Sequence, residues 1–514
     1  MGTTRSRNSA RDAALALLIF FATVLYLTWL PRNLAAADES IHLYEAKRIL
    51  AGEVLYRDVF EMITPGFMYL MALLFRVFGT DFATARVAQA VLHGLAAVSL
   101  YYACRKLDIR RGLSWPVALA YLVVCQPAWP MVSQHWLSTL FCIVLLLVCI
   151  DLRRDRAAAT LRPGLVLGLL ISVQHPRGVI MSAGVFVWII VDALVQRRLR
   201  PDQPSAPLPA RLAWLVAGAL IIIVPMSIAI VASAGFQPVW RALVIFPLFD
   251  YRGSTHCPWA HVDYMSVWHA SFTFIPVLRY LPLILPLTAV RLLLLIVRRG
   301  DPLQSGRLSL LLVLCLFSIF SIAYFPDFIH IAFIAPLFFV TIAESAEWLL
   351  RSLPAPAAVP LRVAGWAMAL ALLVAAGYRL HDNFVHVQAT FPVERDTAFG
   401  RIALNPLQAE LYDKVNELMQ GVPSRELYCY PIIAHLYLMT DSHNPTPYGF
   451  LIPGYSGPDL IQHVVDILTA KQPPYIVAIY LGPDDPIAQY IERHYEPLGE
   501  KPAAEQYIYR RKPT

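Results

Sequence analysis

The feature that most constrains the fold is a series of apolar stretches long enough to cross a bilayer. A membrane-spanning helix needs about 20 mostly apolar residues. The 514-residue chain is 58% hydrophobic and 15% charged, whereas an average soluble domain has about 25% charged residues. A water-soluble core cannot bury so much apolar surface. We therefore predict a polytopic α-helical membrane protein with eleven spans, near residues 13–30, 83–103, 113–127, 136–150, 163–175, 178–195, 212–234, 275–297, 308–324, 330–349 and 361–379.

Basic residues gather in alternate connections between these stretches, and the connections at 127–135 and 325–329 contain no Lys or Arg. This spacing indicates membrane topology, not a nucleic-acid surface. By the positive-inside rule, the basic connections and the N-terminus are cytoplasmic. Eleven spans then place the C-terminal segment outside, so we expect a multi-pass protein of the cell (inner) membrane. The basic clusters are Arg5, Arg7 and Arg11; Arg105, Lys106, Arg110 and Arg111; Arg153, Arg154 and Arg156; Arg197, Arg198 and Arg200; Arg298, Arg299 and Arg307.

The composition turns polar near residue 380. We predict a transmembrane module at 1–380 and an extracytoplasmic (periplasmic) soluble domain at 381–514. The soluble domain is predicted to be a small α/β unit. Its expected helices lie at 407–420 and 457–471, and its expected strands at 427–430 and 475–481.

An unusually long connection, residues 31–82, follows the first span. Apolar and polar residues alternate over 41–50 as in an amphipathic helix lying at the membrane surface. The apolar segment 67–78 is too short to cross comfortably. We predict two interfacial helices here, with acidic side chains held beside the bilayer, where charge is costly unless it is used. Asp38 or Ser40 could instead simply cap the first of these helices.

Several segments resemble the GT-C glycosyltransferases. Residues 38–40 (DES), 51–58 (AGEVLYRD) and 64–66 (TPG) look like the first periplasmic loop of that superfamily. The pattern is most similar to the family 39 type, which includes protein O-mannosyltransferases and the aminoarabinose transferase of lipid A. Residues 324–330 (YFPDFIH) are similar to an Asp-x-x-His pattern in bacterial members, and 444–448 (NPTPY) extend the likeness to the outside domain.

The resemblance implies a GT-C fold and transfer of a hexose or pentose from a polyprenyl-phosphate carrier to an outside lipid, glycan or protein acceptor, with inversion. The acceptor hydroxyl must lose its proton as it attacks, so a carboxylate base is needed. The phosphate leaving group is already ionised and needs no acid, unlike the leaving group in glycoside hydrolysis. We predict Asp38 as the base by its position in the motif, with Glu39 or Glu61 assisting and Asp58 as a further site residue.

Cations that bind the carrier phosphate should lie outside and near the interface, which selects Arg57, Arg177, His175 and His330. Arg177 lies at a break between two apolar runs, where a charge indicates function, although it could simply snorkel to lipid headgroups.

Asp327 and His330 are three residues apart and would share a face at the start of a helix. The resemblance makes both of them site candidates. The alternative is that Asp327 only compensates the helix dipole, while His330 is an ordinary interfacial histidine.

The chain departs from the aminoarabinose-transferase type at Glu61-Met62-Ile63, where that type has Glu-Lys-Pro. The missing lysine leaves the phosphate-contact role of this segment and the donor sugar open. A group of possible metal ligands follows no structural zinc spacing, so we predict no metal site there and no definite cofactor. A divalent metal stays an alternative. That group is His256, Cys257, His261 and His269.

A transporter or flippase of a lipid-linked or sugar substrate is the second interpretation. Transporters often carry inverted repeats and mid-span charges, and neither is evident in this sequence. A non-catalytic assembly scaffold is a third interpretation, but it would have no need for the Asp38-Glu39 pair.

Overall fold

The membrane part of the protein is a set of long apolar helices. The computed structural model describes residues 2–29, 33–34, 38–201, 205–251, 257–260, 275–451, 456–479, 481–482, 484–499 and 507–513. Among these, eight helices are long and apolar enough to cross a membrane. These helices are Ser9–Thr28, Phe82–Lys106, His175–Leu199, Leu208–Ala234, Val277–Val297, Pro302–Ser321, Phe328–Ser352 and Val359–Thr390.

The sequence prediction of a polytopic helical membrane protein is confirmed. The predicted stretches at 113–127, 136–150 and 163–175 coincide with shorter or interrupted helices, so the count of eleven spans stays a prediction. The α-helices before the soluble segment are α1 (Gly2–Thr28), α2 (Asp38–Leu50), α3 (Gly66–Phe78), α4 (Phe82–Lys106), α5 (Arg111–Ala120), α6 (Gln134–Ile150), α7 (Leu161–Val173), α8 (His175–Leu199), α9 (Leu208–Ala234), α10 (Phe236–Trp240), α11 (Ile284–Val297), α12 (Pro302–Ser321), α13 (Phe328–Ser352), α14 (Val359–Asp382) and α15 (Gln388–Thr390).

Helix α5 does not continue as a regular α-helix. Pro116 lies inside it, and a π-helical turn (Tyr121–Cys125) and a 3-10 turn (Gln126–Ala128) follow. Proline removes an intrahelical hydrogen bond and loosens the ladder around it. The chain then enters the loop before α6, whose backbone contacts α2 in the candidate site.

Helix α2 is more buried than its amphipathic sequence pattern predicts. The helix exists as predicted, but nine of its thirteen residues are buried, including Glu39, His42, Glu45 and Arg48. Its polar face does not face solvent, because Arg48 meets Thr446 of the C-terminal segment and Glu39 meets Arg86 of α4. The Tyr44 ring stacks on Tyr437 with ring centroids 4.7 Å apart. The position of α2 and α3 relative to the bilayer stays a prediction.

The C-terminal segment is a small α/β unit, as predicted. Strands β3 (Leu427–Tyr430) and β4 (Tyr475–Ala478) pair in parallel, and the intervening helices provide the long crossover that parallel strands require. Strands β5 (Tyr495–Pro497) and β6 (Tyr507–Arg511) complete a sheet of order β3-β4-β6-β5. Strands β1 (Val393–Thr397) and β2 (Gly400–Leu404) form a separate hairpin. The helices are α16 (Pro406–Gln420), α17 (Ala434–Met439), α18 (Pro458–Lys471) and α19 (Pro486–His494).

Contacts across residue 380 are extensive. The amide N–H of Phe60 donates to Pro447 O at 2.9 Å, and the rings of Phe75 and Phe399 meet edge to face with centroids 5.8 Å apart. One hydrophobic core extends from α2 into the C-terminal segment. The C-terminal segment is therefore packed directly on the 31–82 loop, while the division into two domains stays a prediction.

Candidate active site

Asp38 is the first residue of α2 and is only partly exposed. Burial raises the pKa of its carboxyl group, and the nearby Glu61 raises it further, while His42 and His330 lower it. These influences mean that Asp38 lies within electrostatic range of all three side chains. A carboxylate with a raised pKa beside other ionisable groups is typical of a functional site.

Glu39 fixes the start of α2. Its carboxylate is fully buried, and it accepts hydrogen bonds from Arg86 Nη2 and from the amide of Val132, both at 2.9 Å. Arg86 also donates to Asn33 O and Pro130 O. The geometry makes Glu39 a positioning residue that ties α2 to α4 and to the loop before α6.

His42, Glu45 and Glu61 form a compact buried cluster behind Asp38. His42 Nδ1 lies 3.2 Å from Glu45 Oε2 and 3.4 Å from Glu61 Oε2. Burial alone lowers the pKa of His42, but the two nearby carboxylates outweigh this effect, so the pKa stands well above its ordinary value. Burial and the Glu61 charge raise the pKa of Glu45 to about 8. These three side chains can hold a proton or a metal ion.

The Thr-Pro-Gly motif places Glu61 against the membrane helices. Thr64 Oγ1 donates to Ile171 O near the end of α7 at 2.6 Å. A Cβ at Gly66 would lie 2.6 Å from Ser172 O, closer than real Cβ atoms come, so only glycine permits this approach. The motif therefore docks the loop beside the α7–α8 junction, which carries His175 and Arg177.

Arg177 is buried and points into the protein, not to lipid headgroups. It is 3% exposed, and its guanidinium donates to Ser138 Oγ (2.8 Å), Thr139 Oγ1 (3.1 Å) and Phe333 O (2.9 Å). Its Nε has no hydrogen-bond partner, and no carboxylate of the described residues forms an ion pair with it. The alternative of snorkelling is therefore wrong, because the positive charge of Arg177 is buried inside the protein.

Asp327 and His330 lie together at the start of α13, as the spacing predicts. Asp327 Oδ1 accepts the amide of His330 at 2.8 Å and faces His330 Nδ1 at 2.6 Å. One carboxylate therefore caps the helix and fixes the imidazole ring. Capping by Asp327 is confirmed, and its role in a site stays a prediction.

His135 joins this group and was missed by the sequence reasoning. Its ring stacks on Phe333 with centroids 4.6 Å apart and meets the His330 ring at 5.3 Å. Gln174 Nε2 donates to His135 Nδ1 at 3.0 Å. The available signal was its place at the start of an apolar helix, in an outside connection without Lys or Arg.

The carboxylate and cation groups meet around Tyr324. Its ring meets the His330 ring edge to face with centroids 5.4 Å apart, and Arg177, Asp327 and Asp38 all lie within electrostatic range of its phenol. His175 lies within electrostatic range of Glu61. The structure thus brings together Asp38, Glu61, Arg177, His175, His330 and Asp327.

Arg57 and Asp58 stand apart from this group. Arg57 Nη2 pairs with Asp58 Oδ2 at 2.8 Å on the exposed part of the loop. Asp58 also accepts the amide of Val54 at 2.8 Å, so this pair shapes the loop. Of the histidine-rich segment, His256, His261 and His269 lie outside the described residues, and Cys257 is half-buried.

No protein-family model matches the chain, and no curated protein matches it significantly. Several solved structures match the chain. ArnT from Cupriavidus metallidurans bound to undecaprenyl phosphate matches with a TM-score of 0.54 and 14% identity, covering 98% of this chain and 97% of that one. Its apo state gives a TM-score of 0.56 and 14% identity, covering 98% of each chain.

The arabinofuranosyltransferase AftD from Mycobacteria matches with a TM-score of 0.50 and 16% identity, covering 99% of this chain and 40% of that one. At these sequence identities the structural similarity shows the fold alone. The predicted architecture is confirmed over nearly the whole chain: this protein has a fold similar to that of ArnT, as the GT-C resemblance implies.

Proposed function

We propose that the protein is a membrane glycosyltransferase that moves a sugar from a polyprenyl-phosphate carrier to an acceptor outside the membrane, with inversion. The observation that carries the proposal is Arg177, a buried guanidinium with no carboxylate partner among the described residues. A buried charge is costly unless it is paired. The ligand that would pair with it is an anion, and a phosphate fits the forked donors of arginine.

The other proposed phosphate ligands are His330 and His175. His330 is held by Asp327, so its ring is pre-oriented, which lowers the entropy lost on binding. His175 is two residues from Arg177, at the start of the same helix. Binding of a phosphate by such groups also stabilises the charge that grows on the leaving oxygen as the glycosidic bond breaks. The likeness to ArnT bound to undecaprenyl phosphate supports a polyprenyl phosphate as the anion.

Asp38 is the proposed general base. Inversion requires the acceptor oxygen to attack the anomeric carbon from the face opposite the departing phosphate. The acceptor hydroxyl loses its proton to Asp38 as the new C–O bond forms, and the electrons of the old bond leave with the phosphate. The raised pKa of Asp38 makes it a stronger base than an ordinary carboxylate. Glu61 assists by raising that pKa, and Glu39 by fixing the start of α2.

Binding of undecaprenyl phosphate to purified protein tests the phosphate site. We expect Arg177→Gln to weaken binding by about 10- to 100-fold, because the loss of a charge-assisted hydrogen bond costs about 1.5–3 kcal/mol. His330→Ala should weaken it to a smaller extent. The matched control is Arg401→Gln, which removes an exposed arginine paired with Glu394 in the C-terminal hairpin. Equal affinity of wild type and Arg177→Gln would refute the assignment.

A further inference from the structure

We propose that His42, Glu45 and Glu61 form a binding site for a divalent transition-metal ion beside Asp38. The three side chains each bring one ligand atom, and these atoms all lie within 4.8 Å of one another. His42 and Glu45 are three residues apart on α2 and share a face of the helix. Glu61 reaches them from the loop that the Thr-Pro-Gly motif docks on α7.

The charges of the fully ionised cluster do not balance, and either a proton on Glu45, whose pKa is raised to about 8, or a bound cation can balance them. His42, Glu45 and Glu61 are 6%, 0% and 1% exposed. Two carboxylates and one imidazolium carry a net charge of −1, whereas two carboxylates, a neutral imidazole and a divalent ion sum to zero. Burying an uncompensated charge costs several kcal/mol. A divalent ion removes that cost.

The hydrogen bonding is also incomplete. The single Nδ1 proton of a charged His42 faces two carboxylate oxygens, and it cannot satisfy both. Glu61 Oε2, the oxygen that faces His42, has no hydrogen-bond partner in the described part of the protein, and neither has Glu45 Oε1. Buried polar atoms in native proteins are nearly always satisfied, so Glu61 Oε2 marks where a ligand belongs.

The spacing of the atoms suits a metal. Ligands about 2.1 Å from a tetrahedral ion lie about 3.4 Å from each other. The separations from His42 Nδ1 are 3.2 Å to Glu45 and 3.4 Å to Glu61. An imidazole with carboxylates suits Zn²⁺, Mn²⁺ or Co²⁺ better than Mg²⁺ or Ca²⁺, which favour all-oxygen sites. Three protein ligands leave a coordination position for water or a substrate oxygen.

The catalytic consequence rests on the proposed function. His42 and Glu61 are both within electrostatic range of Asp38, so an ion held between them would favour the ionised form of the base. It would also attract the carrier phosphate. His42, Glu45 and Glu61 are then positioning residues that act through the ion.

Metal content tests the site without any sugar donor. Tag-free protein in nanodiscs is stripped with a chelator, reloaded with Zn²⁺, Mn²⁺ or Co²⁺, and analysed by elemental mass spectrometry and titration calorimetry. We expect one equivalent of ion per chain and a Co²⁺ absorption spectrum typical of mixed nitrogen and oxygen ligands. His42→Ala should abolish binding, and Glu61→Gln should weaken it at least tenfold. The matched control is Glu410→Gln, an exposed glutamate paired with Lys414, which should bind like wild type.

Two results would overturn the site: wild type that takes up no ion after reloading, or folded His42→Ala that retains a full equivalent. If His42→Ala fails to fold, the Co²⁺ titrations of wild type and Glu61→Gln decide whether the metal site exists. A protein that binds no ion would show that the cluster instead holds a shared proton. Metal uptake by a protein that transfers no sugar would refute the proposed function and leave the site standing.

Discussion

Replacing Asp38 by Asn separates catalysis from helix capping. Asn is about as good a cap as Asp, so a capping role predicts nearly full activity. Loss of a general base costs on the order of 10²–10⁴-fold in rate, or about 3–5 kcal/mol in activation free energy at 1.36 kcal/mol per tenfold. Because Asn cannot accept the acceptor's proton, we expect the transfer rate of Asp38→Asn to fall by about 10²–10⁴-fold.

The same substitution should not destabilise the protein. The folded-state pKa of Asp38 is raised by burial and by Glu61, so the folded protein binds this proton more tightly than the unfolded chain does. Above the ordinary pKa of 3.8, ionisation of Asp38 therefore lowers stability. Asn removes that cost, so the unfolding temperature should stay the same or rise.

The assay compares initial rates of transfer from a carrier-linked sugar with thermal unfolding of the same nanodisc samples. A matched control is Asp441→Asn, because Asp441 is exposed and pairs only with the surface Lys47 among the described residues. Retention of most of the transfer activity by Asp38→Asn would refute the general-base assignment. Asp58 and Glu61 would then be the carboxylates to test.

Four further outcomes follow from the geometry. The acid limb of the rate profile of chelator-stripped protein should lie above the ordinary aspartate pKa of 3.8, since the base must be ionised; a limb at or below that value would contradict the assignment of Asp38. Asp327→Asn should keep the helix cap but lower the rate about tenfold, because a charge-assisted hydrogen bond to His330 is lost; an unchanged rate in steady-state kinetics would make Asp327 a cap alone. Gly66→Ala should lower the unfolding temperature and the rate together, since its Cβ would meet Ser172 O at 2.6 Å; a wild-type melting curve would show that the loop adjusts. A reporter fused after Leu380 should be active outside the cytoplasm, and a cytoplasmic signal would reverse the topology.

Composition and local spacing could predict the helices because they depend on nearby residues. The length of the apolar stretches predicts the membrane helices. A separation of three residues places Asp327 and His330 on one face of a helix. The small α/β unit also follows from local periodicity, as the observed α16, α18, β3 and β4 show.

The sequence could not predict which side chains are buried or brought together by contacts between distant parts of the chain. The pattern of α2 suggests a solvent-facing polar side, but Tyr44 and Arg48 meet the C-terminal segment some 400 residues later in the chain. Glu45 is fully buried on the same helix, which its sequence pattern does not indicate. His135 resembles any interfacial histidine until folding sets it against His330. Arg57 has the right charge and motif, yet Asp58 pairs with it at the surface.

The fate of the lipid carrier tests the proposed sugar transfer most directly. Purified protein in sealed proteoliposomes is incubated with polyprenyl-phosphate-linked sugars and candidate lipid, glycan and protein acceptors, and mass spectrometry follows both substrates. We predict that free polyprenyl phosphate and glycosylated acceptor appear in equal amounts, with inverted anomeric configuration, and that Asp38→Asn forms neither. Movement of the intact donor across the bilayer, with no carrier released by any donor and acceptor pair, would contradict sugar transfer.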